Sequence, residues 1–203
     1  RIAREDRPAE SFDFLNEVEK IILAHLDQDP NPDQYYRQSL GRLFNVTGVA
    51  YRKLGNYNDA LLSYFKAENE FNKLNDKISL SSVYFNIAGI FRYQNEYDKA
   101  IEYNQKSLTI RLEIGESQAI LNCFNAIGKV HRRQKQFPEA IANYEKALKL
   151  SIENIDTASN IRSRNNLAVC HLVQDHILEA KKELDIALNL SKKSGSRTSI
   201  ASV

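Results

Sequence analysis

The sequence predicts an all-α fold, a right-handed α-solenoid of stacked antiparallel helical hairpins, and three observations carry that reading. Four alanines, Ala60, Ala100, Ala140 and Ala180, recur every forty residues, and a second small-residue column, Gly48, Ala88, Gly128 and Ala168, runs twelve residues ahead of them. Between these columns the apolar residues fall at helical spacing, interrupted by polar breaks at fixed places. Seven glycines and four prolines in 203 residues are too few for the turns of a β-rich chain.

From the N-terminus, residues 11 to 28 read as a lone amphipathic helix with Phe14, Leu15, Val18, Ile21, Ile22 and Leu26 on one stripe, closed by Asp29, Pro30, Asn31 and Pro32. This segment, 1–32, fits no repeat column and is expected to cap the first hairpin, since the terminal element of a solenoid must cover an apolar end. Four units follow at 33–76, 77–116, 117–156 and 157–196. Residues 197–203 begin a fifth, because Ser199, Ile200, Ala201, Ser202 and Val203 match Ser79, Leu80, Ser81, Ser82 and Val83 three periods earlier. The first residue is Arg and no Met occurs, so an internal piece of a longer protein that continues past Val203 is expected.

Within a unit two helices are legible. In the third, Phe137, Ala140, Ile141, Tyr144, Ala147, Leu148, Ser151 and Ile152 form one stripe, and Val83, Tyr84, Ile87, Ala88 and Phe91 show the same for a first helix. Polar breaks at residues 54–56, 94–96 and 134–136 separate the helices, with Pro138 at a first-turn position that tolerates it. Asn75, Gly115 and Gly195 share a column just past each second helix and suit a left-handed cap. Ile155 departs from that column, so the third unit is expected to end with Asn154 instead. Small residues at fixed places let helix backbones approach closely, while aromatic columns such as Phe44, Tyr84 and Phe124 fill the space between hairpins. Arg164 breaks that last column, and Asn104 and Leu184 replace the aromatic seen at Tyr64 and Tyr144.

The run from Gly48 to Ala60, with Tyr51, Gly55 and Tyr57 inside it and Tyr64 and Ala67 after it, resembles the tetratricopeptide-repeat signature over about four-fifths of the chain. The forty-residue period is longer than the usual ~34. It is similar to the repeats preceding bacterial sensor kinases and nucleotide cyclases, and to those of Rap-type peptide-sensing regulators. The resemblance implies a cytoplasmic sensing or docking array that binds another polypeptide in its concave groove, without a cofactor.

In that fold the groove is lined by a ladder one step around the first helix: Asn45 and Arg52, then Phe85, Asn86 and Arg92, then Asn125, Lys129 and Arg132, then Asn165 and Asn166. Amides can satisfy both groups of an extended backbone and guanidinium forks suit carboxylates, so the ladder points to a protein or peptide ligand with acidic residues. The alternative is ordinary solvated helix surface. A carboxylate clamp of the chaperone-binding kind lacks its lysine, since Asn45 stands there.

A net charge of +2, from 28 basic and 26 acidic residues spread evenly, gives no field for nucleic acid or an anionic membrane, and no apolar run nears the ~18 residues of a membrane helix. Cys123 and Cys170 read as buried free thiols in a reducing compartment. His131 and His171 share a packing column with Tyr51 and Phe91, and HExxH, P-loop and GxSxG patterns are absent, so neither a catalytic nor a metal site is expected. Three functions stay open: a binding module, an array that self-associates through its end hairpin, and a cryptic enzyme built on His131 or His171.

Overall fold

The computed structural model describes residues 7–28 and 34–195; the linker prolines Pro30 and Pro32 and the start of a fifth unit at 197–203 lie outside them. Every regular element described is a helix: α1 Arg7–Gln28, α2 Gln34–Lys53, α3 Tyr57–Lys73, α4 Lys77–Tyr93, α5 Tyr97–Ile114, α6 Ser117–Arg133, α7 Phe137–Glu153, α8 Thr157–Val173 and α9 Ile177–Ser194. Two compact units result, Arg1–Ile90 and Phe91–Val203, with the boundary inside α4. In the first unit α1 packs on α2 and α2 on α3; in the second, each helix from α5 to α8 packs on its successor.

Helix length is set by two columns of left-handed residues. Gly55, Asn95, Lys135 and Asp175 follow the first helices with φ of 77°, 63°, 61° and 59°, and Asn75, Gly115, Ile155 and Gly195 follow the second helices with 51°, 82°, 56° and 68°. Beyond each first helix the next backbone N–H reaches back to the carbonyl five residues earlier, as from Asn56 to Tyr51 at 3.0 Å and from Gln136 to His131 at 2.9 Å. This is the Schellman closure, which satisfies carbonyls the helix would otherwise orphan.

Ile155 corrects the expectation from sequence. Helix α7 does end on Asn154 as its C-cap, yet the left-handed residue stays in register at Ile155 rather than shifting. The Schellman bonds from Ile155 to Ile152 (3.1 Å) and from Asp156 to Ser151 (2.8 Å) hold it there. A β-branched residue pays about 1–2 kcal/mol in this conformation, and Ile155, 88% exposed, recovers nothing by burial. Ile155→Gly should therefore raise the unfolding free energy by about 1 kcal/mol in urea titration, the strain relief outweighing glycine's extra chain entropy.

Helices α4 and α8 begin on capping carboxylates. Asp76 accepts from the Ser79 backbone N–H at 3.0 Å and its hydroxyl at 2.7 Å, and Asp156 accepts from the Ser159 N–H at 3.1 Å. Burial works to raise both carboxyls, but these hydrogen bonds together hold them below the ordinary value of 3.8. The stabilisation is in place above the carboxylate range and disappears as pH falls through the depressed folded value. Asp156→Ala should cost about 1 kcal/mol at pH 7 and nearly nothing at pH 2, as read by urea unfolding at each pH.

Close approach of helices follows the small columns. A Cβ on Gly48 would lie 2.6 Å from the Tyr64 ring and one on Gly128 would lie 2.7 Å from the Tyr144 ring, both rings being fully buried. Ala140, Tyr144, Leu167 and Cys170 form a core cluster flanked by Phe137, Ile141 and Leu148. In the last unit, which lacks the ring, Ala168 stands in the glycine's column and Leu184 in the tyrosine's. The broken aromatic column has a similar explanation. Lys66 lies over Phe44 at 5.0 Å and Lys146 over Phe124 at 5.6 Å; where the ring becomes Arg164, it pairs with Glu183 and bonds Asn160 at 2.9 Å.

Helix α1 differs from its predicted stripe. It starts at Arg7, before residue 11, and turns Phe12 onto Tyr51 with ring centroids 4.4 Å apart, so the inner face runs through Leu15, Ile22 and Leu26. Phe14 and Ile21 consequently face solvent, at 65% and 53% exposure. His25 stacks on Tyr36 at 5.2 Å, and Glu19 meets Lys66 at 3.4 Å.

Candidate functional site: a cationic ladder on the first helices

The ladder arginines occupy the last turns of α2, α4 and α6. There the helix dipole favours a cation, and the Schellman closure fixes how far each stands from the turn. The two units present the ladder separately.

In the first unit Asn86 Nδ2 donates to Asn45 Oδ1 at 3.0 Å, so these two amides hold each other across helices. Arg52 lies half-buried beside Tyr64. Its Nε and the Tyr64 hydroxyl are both buried without a hydrogen bond of good geometry, and burial pushes that hydroxyl's pKa up against the opposing Arg52 charge. Phe85 is half-buried.

In the second unit the amide pairing recurs two periods, eighty residues, on, with Asn166 Nδ2 donating to Asn125 Oδ1 at 3.1 Å. Asn125 corrects the sequence reading, which placed it in the groove. It is 3% exposed, and its own NH₂ donates to the Leu121 carbonyl at 3.2 Å and reaches the Ser163 hydroxyl at 3.5 Å. At its position on α6 it faces α8 rather than solvent, so its amide is taken up inside the packing. Asn165 is half-buried.

Lys129 and Arg132 stand one turn apart on α6. Arg92 lies over the Tyr93 ring, 4.5 Å from its centroid, and Arg162 from α8 donates to Asn122 Oδ1 at 3.4 Å. Burial lowers the Lys129 pKa, and Arg92, Arg162 and Arg132 lower it further in that order. Arg132 borders Tyr144, whose hydroxyl is pushed up to about 12 by burial against the Arg132 charge. Among the described residues none of these four cations forms an ion pair with a carboxylate. The arginines Arg92 and Arg132 are half-buried rather than fully exposed. Arg162 was not singled out from sequence. Its signal was a column it shares with Arg42, Ser82 and Asn122, two residues before the aromatic column.

The remaining candidates have packing partners. His131 Nδ1 meets Gln136 Oε1 at 2.7 Å, and the rings of His171 and His176 lie 6.1 Å apart. Cys123 and Cys170 are buried and free, and burial raises both thiols. Among the described residues no three His, Cys, Asp or Glu side chains gather where they could hold a metal ion, and no helix is long and apolar enough to cross a membrane.

Residues 79–153, spanning α4 to α7, match the tetratricopeptide-repeat family model. These are tetratricopeptide repeats. Comparison with curated proteins finds no match. Solved structures share the α-solenoid of tetratricopeptide hairpins. BtubC from P. vanneervenii superposes with a TM-score of 0.81 at 15% identity, covering 95% of this chain and 76% of that one. A Rap protein complexed with competence and sporulation factor gives 0.68 at 16% identity over 92% of this chain and 49% of its own. A signal transduction ATPase with a tetratricopeptide repeat sensor from Pyrococcus horikoshii gives 0.72 at 20% identity, over 93% and 30%. The chain thus spans about half of the Rap protein and less than a third of the ATPase.

Proposed function

We propose that this tetratricopeptide array is a non-catalytic binding module, the cytoplasmic sensing or docking region of a larger bacterial signalling protein, whose ladder holds a segment of another polypeptide carrying acidic residues. The observation that carries the reading is the group Arg92, Lys129, Arg132 and Arg162, four cations without a carboxylate partner among the described residues. Mutually repelling charges gain from an incoming anion, and guanidinium forks give it direction. The Rap protein solved with competence and sporulation factor, and the ATPase whose repeats are described as a sensor, support the same use of the fold.

A fluorescein-labelled octaglutamate peptide, followed by polarisation against a neutral octapeptide of glutamine, tests this. Saturable binding of the acidic peptide, with amide shifts confined to α4, α6 and α8 in NMR spectra, is the expected result. Equal affinity for both peptides would remove the reading.

Self-association through the last hairpin is a second reading, favoured by Val173, Ile177 and Leu178, which are 60%, 57% and 80% exposed. The columns of Val173 and Leu178 hold Lys53, Tyr93 and Arg133, and Asn58, Asp98 and Pro138, in the earlier units. Sedimentation velocity separates the readings, since a strictly monomeric chain at high concentration excludes the second.

A further inference from the structure

Helices α6 and α8 lie side by side in the forty-residue register. Three hydrogen bonds tie them: Arg162 donates to Asn122 at 3.4 Å, Asn125 to Ser163 at 3.5 Å and Asn166 to Asn125 at 3.1 Å. Toward the C-terminal ends of the two helices the same register sets Lys129 beside Val169, Arg132 beside Leu172 and Arg133 beside Val173. On each helix these positions fall at i, i+3 and i+4 and so share a face. Three cations on α6 are thus replaced by three apolar side chains on α8. Val169 is half-buried, while Leu172 and Val173 are 38% and 60% exposed.

A single exposed leucine asks for no explanation, since much of any protein surface is apolar. Here the exchange takes a whole face at once. The apolar face borders Lys129, Arg132 and Arg133, none of which is paired with a carboxylate among the described residues. A ligand made of carboxylates alone gains nothing from Val169 and Leu172, and a wholly apolar one leaves the cations unanswered. Axes of packed helices stand about 8–10 Å apart, a distance that an extended strand spans in about three residues at about 3.3 Å each. One segment can therefore set a carboxylate on α6 and an apolar side chain on α8.

We propose that Val169, Leu172 and Val173 form an apolar subsite beside the ladder cations of α6, and that the segment bound there carries a large aliphatic residue about three positions from an acidic one. The inference rests on the binding reading above and adds to it a second chemistry at a defined place. Leu172 decides the preference, because it stands in the column that holds Arg52, Arg92 and Arg132 in the earlier units.

The test uses labelled octapeptides followed by polarisation: octaglutamate, and the same peptide with leucine or with serine at its second or its seventh position, so that either chain direction is covered. The tighter leucine peptide should bind about tenfold more tightly than its serine counterpart. Leu172→Arg, which restores the residue of the earlier units, should bring that ratio close to one and strengthen octaglutamate binding; if circular dichroism shows that it fails to fold, Leu172→Gln serves for the ratio. Equal affinities of the leucine and serine peptides for the unaltered protein would overturn the apolar subsite and leave the binding reading standing. A leucine preference that survives the change at Leu172 would place the apolar contact elsewhere and overturn the assignment as well. Binding of none of the peptides would overturn both readings. Sedimentation velocity at the assay concentration should show a monomer; a dimer that the Leu172 variant dissociates would give this face to a second copy and overturn the proposal.

Discussion

Gly128→Ala should destabilise the protein by about 1–2 kcal/mol, while Gly89→Ala should stabilise it by about 0.5–1 kcal/mol, both read from urea unfolding. In a helix interior alanine outranks glycine by roughly 1 kcal/mol, and at Gly89 nothing lies within 4 Å of the new methyl group. At Gly128 the same methyl group would lie 2.7 Å from Tyr144 Cε1 and 2.9 Å from Cδ1. The ring has no exposed side toward which to move, and overpacking of this kind costs typically about 1–3 kcal/mol. Adding Tyr144→Leu to Gly128→Ala reproduces the Ala168 and Leu184 combination of the last unit. The pair should therefore lose less than the sum of the two single changes by about 1 kcal/mol or more. Like signs for the two glycine substitutions would mean that the ring does not seat on α6.

Reversing Arg92 and Arg132 to Glu together should weaken octaglutamate binding by about 2–5 kcal/mol and leave the fold intact. Stability is preserved because the two guanidiniums already oppose the charge on Lys129, so removing them relieves repulsion in the free protein. The control must be chosen with the neighbours in view. Lys66 and Lys106 on the second helices bridge Glu19 and Glu102, at 3.4 and 2.7 Å, and lie over Phe44 and Tyr103, so reversing them disturbs packing. Exposed Lys181 and Lys182 on α9 make no such contacts among the described residues and serve instead. Equal loss from both pairs would reduce the effect to general electrostatic attraction.

The helices and their ends were legible because the forty-residue period repeats each constraint, so small residues at Ala60 or Gly48 are read four times over rather than once. The left-handed columns were partly legible for the same reason. Ile155 was misread because the backbone bonds at Ile155 and Asp156 hold the turn in register against the residue's own preference, and no side-chain signal reports that. Helix α1 stands outside the repeat and so lacks this redundancy; two stripes compete on it, and the stacking of Phe12 on Tyr51, a contact with a residue far along the chain, decides between them. For the candidate site, the column of arginines was visible but their burial was not. Asn125 shows why: a shift of a fraction of a helical turn separates an amide that faces α8 from one that faces solvent, and sequence spacing does not resolve it.

Gly128 and Tyr144 lie sixteen residues apart on the two helices of one hairpin, which bears on how such a chain can diversify. A whole duplicated repeat carries both members with it, so the fit survives copying. Change by single substitutions is harder: altering the glycine first creates a clash, and shrinking the ring first leaves a void that costs roughly 2–5 kcal/mol when a large side chain is truncated to alanine. Either intermediate is handicapped, and Ala168 with Leu184 marks the far side of that valley. A ladder position such as Leu172, where earlier units hold Arg52, Arg92 and Arg132, has no partner bound to it in this way. Recognition can therefore drift one residue at a time on a scaffold whose packing changes only in matched pairs.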